Sequence, residues 1–163
     1  MKRADLIPLK IISRELAAQQ VKQWKAKGKK VAFTNGVFDI LHPGHIFSLS
    51  EAAKEGDYLV VGLNADTSVK RLKGDSRPVN NQDARAILMA SLLMVDAVVI
   101  FEEDTPLELI KAILPDVIVK GGDYTPEQVA GGKEVIAAGG KVVINPILEG
   151  YSTTGLIAKM KEN

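Results

Sequence analysis

Asp57-Tyr58-Leu59-Val60-Val61-Gly62-Leu63 is the stretch on which the fold turns. After its first residue it is apolar almost throughout, and Gly56 stands before it as a stop for the preceding segment. A half-buried strand alternates polar and apolar residues, whereas a strand covered on both faces does not. The run therefore reads as an inner strand of a parallel sheet. Just upstream, residues 44–55 have helical period, and residues 30–34 form another run of strand length. Downstream, residues 97–101, 116–120 and 141–145 repeat the strand signal. Helical segments separate them: one opened by Asn80 or Asn81 and running from Ala84 to Met94, one capped by Asp104 with Pro106 in its first turn, and a short one over 134–138. Ser13 caps a first helix whose Leu16, Gln20, Val21 and Trp24 share one stripe, with Gly28 as its left-handed end, and a last helix starts at Ser152 or Thr153. Leu16, Val21 and Trp24 read as core. Strands alternating with helices predict an α/β, Rossmann-like, doubly wound parallel sheet of about five strands with helices on both faces.

The 163 residues suit one domain, with 1–28 as a helical extension and 29–163 as the catalytic core. Hydrophobic residues make up 46% and charged residues 25%, a globular balance that excludes disorder and collagen-like folds. Twenty-one Lys and Arg against 20 Asp and Glu leave a formal charge of +1, so no global field recruits nucleic acid or an anionic membrane. Any anion site must be local. Residues 64–79 are polar and basic and read as a functional loop, but no aromatic alternates with the bases there, so stacking on RNA is unsupported. With no cysteine there is no thiolate nucleophile, no Cys-based zinc or iron-sulfur site and no disulfide, as suits a cytoplasmic protein. No apolar run approaches the roughly 20 residues needed to span a bilayer.

In open α/β sheets ligands bind beyond the carboxyl ends of the strands. Four such segments carry polar clusters: 34–45, 64–77, 120–124 and 149–155. The first holds the chain's only two histidines, His42 and His45, separated by Pro43 and Gly44 at a helix start. Helix-start N–H groups and the dipole favour an anion, two imidazoles can donate to it, and Gly44 admits a bulky ligand to the backbone, which describes a polyphosphate site. A plainer reading also stands, in which His42 caps the helix and His45 is an ordinary amphipathic side chain. Zinc would need a third ligand, and none stands at metal spacing. P-loop, G-x-G-x-x-G and G-x-S-x-G patterns are absent, which disfavours those phosphate sites and leaves nucleophilic hydrolysis without its parts.

Two motifs together carry a resemblance. Gly36-Val37-Phe38-Asp39-Ile40-Leu41-His42-Pro43-Gly44-His45 is similar to the signature of the HxGH nucleotidylyltransferase superfamily, and Ser152-Thr153-Thr154 after Glu149-Gly150-Tyr151 is similar to its downstream motif. Stretches 72–80, 101–106, 114–124 and 130–135 further resemble the adenylyltransferase domain of ADP-heptose synthase, so the likeness runs from about Lys29 to the C-terminus. It implies a Rossmann-like fold and transfer of AMP from ATP to D-glycero-β-D-manno-heptose 1-phosphate, giving ADP-heptose and diphosphate for the lipopolysaccharide core. The sugar-kinase domain with which this domain is often fused is not part of these 163 residues. Polyol-phosphate cytidylyltransferases commonly carry an arginine shortly before the downstream motif, and Asn145-Pro146-Ile147-Leu148 has none. CTP-dependent transfer to glycerol 3-phosphate or a similar polyol or amino-alcohol phosphate is the rival, followed by a non-catalytic nucleotide-binding module.

The same resemblance assigns His42, His45 and Lys73 to catalysis and implies a homodimer. Asn35, Gly36, Phe38, Gly44, Arg77, Gly122, Ser152, Thr153 and Thr154 join the histidines in holding the nucleotide. Asp39, Asp66, Lys70, Arg85 and Asp123 are assigned to the acceptor, the cations to neutralise phosphates and Asp66 and Asp123 to read hydroxyls. For the basic residues a solvated surface, and for the two aspartates turn or capping chemistry, are the competing readings. Asp39 faces either Mg²⁺ or the acceptor. Mg²⁺ is expected with ATP, held mainly by phosphates and water, with no protein metal site.

Overall fold

The computed structural model describes residues 3–162. Five strands, β1 (Val31–Gly36), β2 (Tyr58–Asn64), β3 (Ala97–Phe101), β4 (Val117–Gly121) and β5 (Lys141–Asn145), form one sheet in the order β3-β2-β1-β4-β5, and every pairing is parallel. The decisive stretch lies one strand inside the edge, and Leu59 through Asn64 are all buried. Among the described residues seven α-helices connect and flank the strands: α1 (Arg14–Ala26), α2 (Pro43–Ala53), α3 (Asp66–Lys73), α4 (Gln82–Ala90), α5 (Leu107–Ile113), α6 (Gly132–Ala137) and α7 (Thr153–Lys161).

Alternate residues of each strand feed two apolar layers. On one face Phe33, Val60 and Val99 pack with Ala17 and Val21 of α1, Leu109 and Ile110 of α5 and Val135 of α6. On the other, Ala32, Leu59 and Val61 pack with Leu49 and Ala52 of α2 and Ala86 and Met89 of α4. At roughly 25 cal/mol per Å² of apolar surface these two layers supply the main driving force for folding. Because α2 leaves β1 on one face and α6 leaves β4 on the other, the strand order reverses between β1 and β4, and a crevice opens above that point.

The opposite rim is fixed by three aspartates. Asp57, Asp96 and Asp116, each just before a strand, accept the backbone N–H of Lys30, Leu59 and Val31 at 2.8 Å, tying each strand start to its neighbour. At the β3 edge, Ile11 pairs with Val98 and Ile12 N–H donates to Val98 O, so the N-terminal segment covers an otherwise open strand.

The structure corrects several local expectations. Residues 66–73 are helix rather than loop: Ser68 and Val69 are buried and Lys70, Arg71 and Lys73 point outward, too few apolar positions to show a period. Asp104 does not cap α5; its carboxylate accepts from Arg71 Nε at 2.8 Å, and Pro106 occupies the cap position. Leu16 is 48% exposed and lies outside the core, whereas Val21 is buried and Trp24 stacks on Tyr58 with centroids 4.1 Å apart. Ser13 caps α1 as its sequence implies, accepting from Leu16 N–H. Among the described residues no helix is long and apolar enough to cross a membrane.

Candidate active site

Over the β1/β4 crevice lies a cleft of about 390 Å³ whose walls come from five segments. The end of β1 and the loop after it supply Asn35, Gly36, Phe38 and Asp39; α2 supplies His42, His45 and Ser48; the start of α7 supplies Ser152, Thr153 and Thr154. Lys73 and Arg77 approach from the segment after β2, and Lys120 and Gly121 from the end of β4.

The two imidazoles stack with centroids 3.8 Å apart and planes 22° from parallel, and the Phe38 ring meets His45 edge-on at 5.3 Å. Both Nδ1 atoms are buried and find no hydrogen-bond partner in the protein among the described residues. His42 sits at the N-cap of α2, but its side chain caps nothing. The capping reading is thereby set aside. Gly44 is buried behind His42 rather than open to a ligand: a Cβ there would lie 2.9 Å from His42 Cε1 and Nδ1. Its hydrogen is what lets the imidazole fold over the helix start. Phe38 holds φ at +47°, a left-handed conformation that costs a bulky residue strain and turns the β1 loop into the cleft.

Burial, and then the charge of neighbouring His42, holds the His45 imidazole well below its usual range, at about 4; burial lowers His42 as well. Near neutrality both rings are neutral, each with one N–H to donate. An unfolded chain takes up its histidine protons near 6.5, above the folded value for His45, so the unfolded state binds more protons between the two and stability falls as pH drops through that window. Denaturant titrations should show stability lost from about pH 6.5 toward about pH 4, with the loss reduced in His45→Gln. An acid limb unchanged by that substitution would contradict the assignment.

Ser152 caps α7 by accepting from Gly155 N–H at 3.0 Å, which leaves its O–H to donate into the cleft. The Thr153 and Thr154 hydroxyls make no hydrogen bond to the protein among the described residues and line the cleft. Two helix N-termini thus converge here, since Tyr151 Cβ would lie 3.2 Å from a Cβ on Gly44. Their dipoles, the neutral imidazoles and the hydroxyls make a donor-rich wall suited to a polyphosphate.

Asp39, by contrast, is already engaged. It is 1% exposed, and its carboxylate accepts from Arg77 Nε at 2.8 Å and from the backbone N–H groups of Val79 and Asn80 at 2.8 Å. Burial works to raise its pKa, but the two N–H groups and the Arg77 guanidinium together outweigh it and hold the carboxyl below its usual value. Asp39 thus pins the basic segment over the β1 loop and offers no free oxygen to Mg²⁺ or an acceptor. Arg85 is a second correction. It is fully buried, donating to the carbonyls of Val37, Asn64 and Asn80 and to Asp66 Oδ1 at 2.7–3.0 Å. This one guanidinium joins the β1 loop, the end of β2 and the starts of α3 and α4, and it occupies the Asp66 carboxylate. Arg85 lines no part of the cleft, and Asp39 meets it with both carboxylate oxygens already accepting from the protein.

Lys70 and Asp123 are exposed and line no part of the cleft, and Gly122 lies just outside it, its neighbour Gly121 taking the expected place. Thr34 and Lys120 fall within the strand-end segments 34–45 and 120–124 without being assigned a role there, and Ser48 and Ile147 lie outside them. Lys120, the last polar residue of β4, carried the strand-end signal that marks ligand sites in such sheets. Among the described residues no three His, Asp or Glu side chains gather as a metal-holding group.

Comparison with known proteins agrees with this geometry. Residues 33–159 match the family model described as cytidylyltransferase-like. The chain is 57% identical over 152 residues, 93% of its length, to the bifunctional protein HldE of Caulobacter vibrioides, and 56% identical over 151 residues to that of Vibrio cholerae. It spans 32% of each of these longer relatives. Among solved structures, a lipopolysaccharide core biosynthesis protein from Thermoplasma volcanium superposes with a TM-score of 0.61 at 31% identity, over 77% of this chain and all of that one. Pantoate-beta-alanine ligase from Francisella tularensis, solved with ATP and beta-alanine ligands, superposes at 0.57 over 93% of this chain and 76% of that one; at 17% identity it speaks to the fold alone.

Proposed function

The chain belongs to the cytidylyltransferase-like family, and from that premise we propose that it is a nucleotidyltransferase moving AMP from ATP to D-glycero-β-D-manno-heptose 1-phosphate, with release of diphosphate. The observation that carries this reading is the meeting of His42 and His45 with Thr153 and Thr154 in one cleft above the β1/β4 reversal. The choice of acceptor draws on the high identity to the HldE proteins and on the Thermoplasma relative's description as a lipopolysaccharide core biosynthesis protein.

In the reaction a phosphate oxygen of the sugar forms a bond to the α-phosphorus of ATP while the bond from that phosphorus to the bridging oxygen of the β-phosphate breaks. The electron pair leaves with diphosphate. A sugar phosphate is already anionic near neutral pH, so no residue need remove a proton, and catalysis reduces to positioning and charge stabilisation. His42 and His45 donate to the phosphates and strengthen those bonds as charge moves onto the leaving group. Ser152, Thr153, Thr154 and the α7 N-terminus hold the distal phosphates, Lys73 and Arg77 neutralise the triphosphate, and Asn35, Gly36 and Phe38 shape the wall beside it. Asp39 is saturated by protein donors, so Mg²⁺ would travel with ATP on phosphate and water oxygens, where it supplies further charge neutralisation.

The family's description as cytidylyltransferase-like favours one rival, CTP with a polyol phosphate. Incubating the protein with ATP or CTP and each acceptor, and measuring diphosphate, separates the two. Turnover of ATP with the heptose phosphate is expected, and turnover of CTP alone would overturn the assignment. We also place the protein in the cytoplasm, where ATP is found, and take it to be a homodimer. Light scattering at the mass of one chain would contradict the latter.

A further inference from the structure

His42 lines the cleft, yet among the described residues no atom of its imidazole has a hydrogen-bond partner in the protein. The torsion that turns such a ring has broad minima, and in many catalytic sites a third group fixes the imidazole by hydrogen bonding to it. Here packing alone must do so. His45 stacks on His42 closely, and a second ring, that of Tyr151, lies 17° from parallel to His42 with centroids 6.3 Å apart, within the range of offset aromatic pairs. We propose that Tyr151 is a positioning residue whose ring keeps the His42 imidazole aimed into the cleft and keys the start of α7 to the start of α2. The kinetic consequences rest on the nucleotidyl-transfer reading given above; the contact itself does not.

Three observations carry it. First, the two rings sit at the two helix starts that form the phosphate wall: His42 is the N-cap residue of α2, and Tyr151 directly precedes Ser152, the N-cap residue of α7. A contact between them therefore sets the distance between those starts. Second, the backbone has been cleared for the contact. A Cβ on Gly44 would lie 2.9 Å from the His42 ring and 3.2 Å from Tyr151 Cβ, so any larger residue there would wedge the pair apart. Third, the chain on both sides of Tyr151 is fixed. Gly150 turns it with φ at +84°, and Ser152 is held extended by the bond from Gly155 N–H to its oxygen. The Tyr151 hydroxyl makes no hydrogen bond to the protein among the described residues, so the ring alone makes the contact. With 47% of Tyr151 exposed, losing the ring opens no core cavity, and the effect should appear at His42 instead.

Proton NMR of the protein without substrate tests the contact. Tyr151→Leu should shift the His42 ring signals as the aromatic neighbour is lost, and Tyr151→Phe should leave them in place. In steady-state assays with ATP and D-glycero-β-D-manno-heptose 1-phosphate, Tyr151→Leu should lower kcat about tenfold while KM for ATP stays within about twofold, and Tyr151→Phe should recover most of the loss. In a His42→Ala background, Tyr151→Leu should cost nothing further, because its effect passes through the imidazole. If the unsubstituted protein does not turn over these substrates, the functional reading fails and the kinetic part of the proposal with it, while the NMR result still decides the contact. His42 signals unmoved in folded Tyr151→Leu would overturn the proposal. So would a kcat loss of the same size with and without the His42 ring, which would place Tyr151 on the substrate rather than on the histidine.

Discussion

Replacing His45 by alanine is expected to lower kcat for nucleotidyl transfer by about a hundred- to a thousandfold, the range seen when one preorganised donor to a developing anion is removed. The neutral imidazole gives its N–H to a phosphate oxygen whose charge grows as the α–β bridge breaks, so the lost interaction belongs to the transition state more than to bound ATP. KM for ATP should therefore change much less than kcat. Stability should hold, because the ring makes no hydrogen bond to the protein, its Nδ1 is an orphan, and its removal relieves a buried polar atom while leaving a small void beside Phe38. His42→Ala should act in the same direction, and the double variant should lose less than the product of the two, since stacked rings gripping one phosphate chain act as a unit. Wild-type kcat in either single variant would show that the pair is not part of the reaction machinery.

The second large effect concerns stability. Arg85→Met removes a fully buried guanidinium that satisfies three backbone carbonyls and the Asp66 carboxylate, whose side chain is 31% exposed. Leaving three carbonyls without their charged donor, at roughly 1–3 kcal/mol each, costs about 3–5 kcal/mol or more, a large part of the 5–15 kcal/mol typical of a domain. Urea denaturation should show the midpoint fall sharply, and Arg85→Lys should not restore it, because a single ammonium cannot span acceptors on four segments. Activity should be lost in step with folding, without a selective rise in either substrate's KM. A stable Arg85→Met protein with a raised KM for the sugar phosphate would instead make Arg85 an acceptor ligand.

Arg85 also shows where sequence reading stops. Strand runs and helix periods disclose which segments are buried, and β1 to β5, α1, α2 and α7 were legible because their apolar spacing and their Ser13 and Ser152 caps are local signals. Whether a cation is solvated or enclosed depends on what four distant segments place around it, and nothing in the spacing of Arg85 reports the carbonyls of Val37 and Asn64. Asp39 misleads in the same way: it sits inside the phosphate motif, yet its oxygens are used by Arg77, Val79 and Asn80, some 40 residues downstream. The histidines and the late hydroxyls were readable since each belongs to a helix start, a position with its own chemistry. Lys120, in the strand-end segment 120–124, has position as its only signal, since a lone lysine carries no spacing pattern and its place in the cleft wall is set by the neighbouring strand ends.

Everything in the mechanism depends on one polyphosphate being held between α2 and α7. The most direct measurement is a crystal structure of the protein with a non-hydrolysable ATP analogue, read for the atoms around its phosphates. Phosphate oxygens of the same ligand within about 3 Å of His42 or His45 Nε2 and of a Thr153 or Thr154 donor are the predicted result. A triphosphate bound away from either group, with the imidazoles facing no ligand atom, would contradict the account.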